Sequence, residues 1–161
     1  MRIASFDCAT HTGWALIEDG KIVESGTMDF SKRRGESNGV MFLRFRTWLN
    51  EFAYQNVKVV ACEKAHHRGG AATEIGVHLF CCVQEFCAAE HYEFLPLHTA
   101  EIKKFATGKG NAGKPEMMEA AEKKLGRPPL DDNEADAVMI GLLADQMLNP
   151  KRKGGPRQVP E

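Results

Sequence analysis

A two-residue Asp19-Gly20 turn lies between short apolar runs near the start of the chain, and it narrows the possible folds more than any other feature. An Asp-Gly pair between such runs is the signal of a β-hairpin, because both central residues of that turn take positive φ. Trp14 to Ile17 precede the turn and Ile22-Val23 follow it, while Ile3, Ser5 and Asp7 alternate with Ala4 and Phe6 further upstream. The first third of the chain is therefore predicted as a three-strand antiparallel meander.

Beyond it the periodicity changes. Ser31 to Asn38 is polar and basic and reads as an exposed loop, and Phe42, Phe45, Leu49 and Phe52 then give one apolar face to a helix over 40–54. Val57 to Cys62 is a short β-branched run that ends at Glu63, as expected of a buried strand delivering a carboxylate at its C-terminal end. After the loop AHHRGGAA, a second amphipathic helix is predicted over 74–90 through Ile75, Leu79, Cys82, Val83 and Phe86. Phe94 to Leu97 is extended but weakened as a strand by Pro96. A short helix with Ile102 and Phe105 stops near Gly108, a glycine-rich basic loop runs to Lys114, and Pro115 opens a helix that Gly126 closes. The last helix starts around Asp131. Residues 149–161, with Lys151, Arg152 and Lys153, lack apolar periodicity and are expected to be a disordered basic tail behind a single domain over 1–148.

This order predicts an α/β chain with a mixed central sheet, three antiparallel strands plus parallel ones, flanked by helices. It is the layout of the RNase H-like architecture. Composition removes several other classes. With 161 residues, 43% of them hydrophobic, the chain is long enough to bury a core, and a net charge of -1 gives no global basic excess, so any nucleic acid must be held by local patches. No apolar run approaches the roughly 20 residues of a membrane span, and the N-terminus lacks a signal-peptide layout, so a cytoplasmic protein is expected. The five cysteines lack a zinc-ligand spacing, and Cys62, Cys81, Cys82 and Cys87 sit among apolar residues as expected of buried thiols.

Carboxylates carry the functional signal. Asp7 ends the first strand, Glu63 ends the fourth, and Asp132 and Asp136 stand one helical turn apart on the last helix. Singly, each has a structural explanation: a turn aspartate, or Asp131 with Glu134 as a helix cap and capping box. Jointly, acids at the margin of a core are costly unless a cation compensates them, and a pair of divalent metals is such a compensation.

The segment RIASFDCATHTGWALIEDGKIVESG, with its Asp, its Thr-x-x-Gly-Trp turn and a second strand, resembles the opening of RuvC-type Holliday-junction resolvases. LHTAEIKKFATGKGNAGKPEM resembles that family's basic glycine loop before a helix, and NEADAVMIGLLA its closing helix. The resemblance implies a crossover junction endodeoxyribonuclease that hydrolyses phosphodiesters to 5′-phosphate and 3′-hydroxyl ends. It implies Asp7, Glu63 and Asp136 as ligands of two Mg²⁺ or Mn²⁺ ions, with Asp132 as the fourth ligand and Asn133 as the alternative, and Lys114 near the scissile phosphate, with Lys109 a second candidate. The aromatic wedge that cellular members carry after the Glu is replaced by Lys64, Ala65, His66, His67 and Arg68. His66 and His67 are candidates to stack on bases or touch phosphate.

Arg33, Arg34, Arg68, Lys103, Lys104, Lys109 and Lys114 are the candidate DNA-binding residues. Members of the family are homodimers, which points to a C₂ dimer through the helix after the fourth strand, at Ile75, His78, Leu79, Cys82 and Phe86. The short chain and missing wedge are more similar to the phage-encoded branch. No nucleotide cofactor is expected, since an actin-like or sugar-kinase ATPase needs about twice this length. Two further readings are a broader branched-DNA or flap endonuclease and a non-catalytic junction-binding protein.

Overall fold

A computed structural model describes residues 1–65 and 69–150. The turn predicted at Asp19-Gly20 forms with φ of 52° and 77°, and it joins β2 (His11–Glu18) to β3 (Lys21–Asp29). β1 (Arg2–Asp7) pairs antiparallel with β2, so the meander is present. β4 (Val59–Glu63) then lies parallel to β1 on its other side, and β5 (Glu93–Leu97) lies parallel to β4, giving the order β3-β2-β1-β4-β5. The sheet is mixed, as the sequence predicts.

Pro96 is accommodated because β5 is an edge strand, where a missing backbone N–H costs no ladder bond to an outer neighbour. Helices cover both faces. α1 (Asn38–Leu49) and α2 (Ala71–Glu90) close a core around Phe6, Phe45, Trp48 and Phe52. On the opposite face α3 (Thr99–Thr107), α4 (Lys114–Leu125) and α5 (Asp132–Leu148) pack over Ile3, Ile17 and Val59.

The helix predicted over 40–54 is α-helical only to Leu49 and continues as a 3₁₀ turn over Asn50–Tyr54. The tighter turn keeps Phe52 edge-on to Phe6 and Trp48, with both ring centroids at 5.0 Å, before the left-handed Asn56 redirects the chain into β4. Gly108 and Gly126 end α3 and α4 in the left-handed conformation, as their glycines predict.

Three expectations need correction. Cys81 is exposed, because it lies about 100° around α2 from the core-facing Cys82, whereas Cys62, Cys82 and Cys87 are buried as free thiols. Leu79, Cys82 and Phe86, expected at a dimer face, instead point into the core between α2 and the sheet. Asp131 caps α5 by accepting from the Glu134 N–H at 2.9 Å, but the Glu134 side chain does not close a capping box; it turns to the Leu130 N–H, 2.6 Å away.

α5 is held to the sheet more closely than an amphipathic helix requires. A Cβ at Gly141 would come within 2.6 Å of Ile17 and 2.7 Å of the Ser5 hydroxyl, so the absent side chain sets the approach. The Ser5 hydroxyl, fully buried, donates to the Ala137 carbonyl at 2.7 Å. No helix among the described residues is long and apolar enough to cross a membrane. Of the predicted tail, residues 151–161 lie outside the described residues, as do His66, His67 and Arg68.

Candidate active site

Parallel pairing brings the C-terminal ends of neighbouring strands to one edge of a sheet. Phe6 is opposite Cys62, so the next residues, Asp7 and Glu63, end β1 and β4 side by side. On the other flank Asp7 faces Gly13 of β2. A Cβ on Gly13 would stand 1.8 Å from the Asn133 carbonyl oxygen, so only glycine lets the start of α5 close down beside Asp7. Thr12, buried next to it, donates its hydroxyl to the Ala9 carbonyl at 2.6 Å and fixes the turn between the two strands.

That approach delivers the other two acids. Asp132 and Asp136 line one cavity with Glu63, Thr99, Lys103 and Lys114. Glu63 also lines a second, adjoining cavity with Asp7 and Cys8, so the four carboxylates gather at this one edge of the sheet. Thr99, in the first turn of α3, donates a hydrogen bond to Glu63 and orients its carboxylate. Of the two candidates for the fourth ligand, Asp132 lines the acid cavity and Asn133 is not among its lining residues.

The cluster is electrostatically strained. Burial, then the charges of Asp136, Glu63 and Asp132, push the Asp7 carboxyl well above the ordinary aspartate range. Burial and the same neighbours, Glu63 and Asp132, raise Asp136 to about 7 against the opposing pull of Lys103 and Lys114. Asp132 moves the other way, because Lys114 Nζ binds its Oδ2 at 2.6 Å and holds it below the ordinary range.

Such crowding is relieved by cations, and a set of hard carboxylate oxygens suits Mg²⁺ or Mn²⁺. Among the described residues no three potential ligands already converge as a closed cage. The donor chemistry fits the ions, with the carboxylates arranged along an open edge.

Of the basic residues, Lys103 and Lys114 reach the acid cavity. Lys104 is exposed on the next position of α3, and Lys109 lines a different cavity with Thr107 and Glu116. Arg33 and Arg34 are exposed in the loop after β3, where the Arg33 N–H donates to Glu36.

Sequence reasoning missed Glu134 and Thr99. Glu134 is fully buried and accepts from Arg127 Nη2 at 2.6 Å, from Arg127 Nη1 at 3.1 Å and from Ser25 Oγ at 2.7 Å. With the Thr27 hydroxyl on Asp131 at 2.7 Å, this network ties the first turn of α5 to β3. The Asp131-x-x-Glu134 spacing was the available signal, but it reads as a cap.

The chain superposes on the Thermus thermophilus RuvC structure with a TM-score of 0.75, over 94% of this chain and 96% of that one, at 17% identity. This chain has a RuvC-type fold. T. thermophilus RuvC in complex with Holliday junction substrate matches with a TM-score of 0.74 at 19% identity, over 88% of this chain and 91% of that one. No family model matches the sequence, and no curated protein matches it either. The RuvC-type likeness is therefore one of fold, and it spans β1 to α5, the elements that carry all four acids.

Proposed function

We propose that this protein is a divalent-metal-dependent endonuclease that resolves four-way DNA junctions, cutting phosphodiesters to leave 5′-phosphate and 3′-hydroxyl ends. The observation that carries this reading is a cluster of carboxylates, two of them half-buried and pushed up, at the open strand ends of a RuvC-type fold. The T. thermophilus RuvC bound to Holliday junction supports the choice of substrate.

Asp7, Glu63, Asp132 and Asp136 would hold Mg²⁺ or Mn²⁺, in our reading two ions. Bound there, the ions supply Lewis-acid stabilisation of the phosphate and a more acidic water. The chain's own groups do the rest. β1 and β4 fix Asp7 and Glu63 on adjacent strands, and Thr99 holds the Glu63 carboxylate in one orientation. Lys114, 80% exposed at the mouth of the cavity, exchanges Asp132 for a phosphate oxygen, and Lys103 balances Asp136 from the wall. Arg33, Arg34, Lys104, Lys109 and Arg68 neutralise phosphates further along the arms, and His66 and His67 stack on bases or contact phosphate.

Paired cuts require two copies, so we assign a C₂ homodimer acting on branched DNA in the cytoplasm, that of a host if the chain is phage-encoded. Because Leu79, Cys82 and Phe86 are core residues, pairing through α2 would use its outer side, where His78 stacks on Phe42 with ring centroids 3.7 Å apart.

The test is cleavage of a labelled four-way junction beside a linear duplex and a flap, with Mg²⁺ or EDTA, by wild type and Asp136→Asn. Symmetric paired nicks on the junction alone, lost with EDTA and in the variant, are expected. Equal cutting of the flap would favour the broader branched-DNA nuclease, a reading that rests on Lys64 to Arg68 standing where a wedge would be. Binding without cutting would leave a junction-binding protein and overturn the nuclease.

A further inference from the structure

Next to the acid cluster the chain carries a second reactive pair. Cys8 follows Asp7 and Cys62 precedes Glu63, and their sulfurs lie 3.3 Å apart in hydrogen-bond contact. The pairing of Phe6 with Cys62 explains this: Cys8 is two residues past Phe6, and residues two apart project from the same face of a sheet. The two thiols therefore meet by strand register. They differ in access. Cys62 is fully buried in the core under α1 and α2, whereas Cys8 is partly exposed and lines the cavity shared by Asp7 and Glu63.

We propose that Cys8 and Cys62 are an oxidisable dithiol site whose substrate is a peroxide, and that its disulfide form displaces the carboxylate of Asp7 from beside Glu63. The Cys8 thiolate attacks one peroxide oxygen; the O–O bond breaks, a sulfenic acid forms on Cys8, and the released hydroxide takes a proton to become water. The Cys62 sulfur then attacks the Cys8 sulfur, the S–O bond breaks, and hydroxide leaves with the Cys62 proton as a second water. Two thiols lose two electrons in total, and one peroxide is reduced to two waters. A dithiol reductant reverses the bond.

Displacement follows from length. A disulfide needs an S–S separation of about 2.05 Å, so the sulfurs must close by roughly an ångström, and each is one residue from an acid. Because Cys62 is held in a strand with neighbours on both sides, most of the movement falls on Cys8, beyond the end of β1. Only this consequence for the site rests on the nuclease reading; the bond itself does not.

The full-length protein is treated with hydrogen peroxide, remaining thiols are alkylated, and the digest is read by mass spectrometry, while Mn²⁺ binding is followed by calorimetry before and after treatment. A Cys8–Cys62 cross-link that dithiothreitol reverses is expected, with Mn²⁺ affinity falling at least tenfold in the oxidised form and recovering on reduction. Cys8→Ser should abolish the link, and Cys81→Ser, at an exposed thiol, should leave it intact; Cys62→Ser repeats the first result if its core tolerates the change. Over-oxidation of Cys8 without a link, or a link among Cys81, Cys82 and Cys87 instead, overturns the dithiol site. A link with unchanged Mn²⁺ affinity overturns the displacement. If the reduced protein cuts no junction, the nuclease reading fails while the cross-link still decides the dithiol.

Discussion

Two acidic centres sit two residues apart on α5 and are treated in opposite ways. Glu134 is buried but matched: burial would raise its carboxyl, yet Arg127, the Leu130 N–H and Ser25 together hold it below the ordinary glutamate range. Asp136 is half-buried beside further acids and is pushed up to about 7. The chain supplies a guanidinium for one carboxylate and crowds the next against Glu63 and Asp132, the contrast expected if Glu134 is structural and Asp136 holds a metal as proposed. What distinguishes them is the counter-charge in the fold: a hydrogen-bonded guanidinium for Glu134, but for Asp136 only the pull of Lys103 and Lys114, which burial, Glu63 and Asp132 outweigh.

Asp136→Asn breaks the contrast most sharply. Junction cleavage should fall to background, while in EDTA the variant should be more stable than wild type by on the order of 2 kcal/mol at neutral pH, measured by urea unfolding. Equal or lower stability would mean that the crowding is not real. Arg127→Ala strikes the other centre, leaving a buried carboxylate without its partner, and should cost about 3 kcal/mol, with cleavage lost only to the extent that α5 loosens.

The two centres should also give opposite pH slopes. Between the ordinary aspartate value near 3.8 and about 7, folded Asp136 keeps a proton that the unfolded chain has released, so metal-free wild type loses stability relative to Asp136→Asn as pH rises through that window. Glu134 is depressed, so its contribution is present above the ordinary glutamate value of 4.5 and is lost as pH falls through its lower folded value. The deficit of Arg127→Ala should therefore shrink in acid; paired unfolding series from pH 3 to 8 check both signs. The smallest effect is expected at Thr99→Val, which removes the donor to Glu63 and should weaken Mn²⁺ binding a few-fold, with Thr99→Ser restoring it.

Much of this was legible in the sequence because it is local. The Asp19-Gly20 turn, the glycine stops at Gly108 and Gly126 and the strand-end positions of Asp7 and Glu63 are written within a few residues of where they act. Glu134 was misread because its partner Ser25 is supplied by a distant strand, and a capping spacing looks the same whichever way the side chain turns. Cys81, and Leu79, Cys82 and Phe86 of the expected α2 dimer face, were misplaced for a related reason: which side of a helix meets the sheet is decided by packing. Gly13 was visible within a Thr-x-x-Gly-Trp pattern, but its purpose, a seat for the Asn133 carbonyl, exists only once α5 has docked.

Pro96 bears on how copies of this chain can assemble. A sheet extends from one molecule into another by an unbroken file of main-chain donors and acceptors along its outermost strand, and a proline in the middle of β5 interrupts that file. A second molecule therefore cannot zip onto that border and continue the sheet. Any pairing on that side must be made by side chains, whose geometry a sequence can tune, which favours a discrete pair over an open-ended fibre.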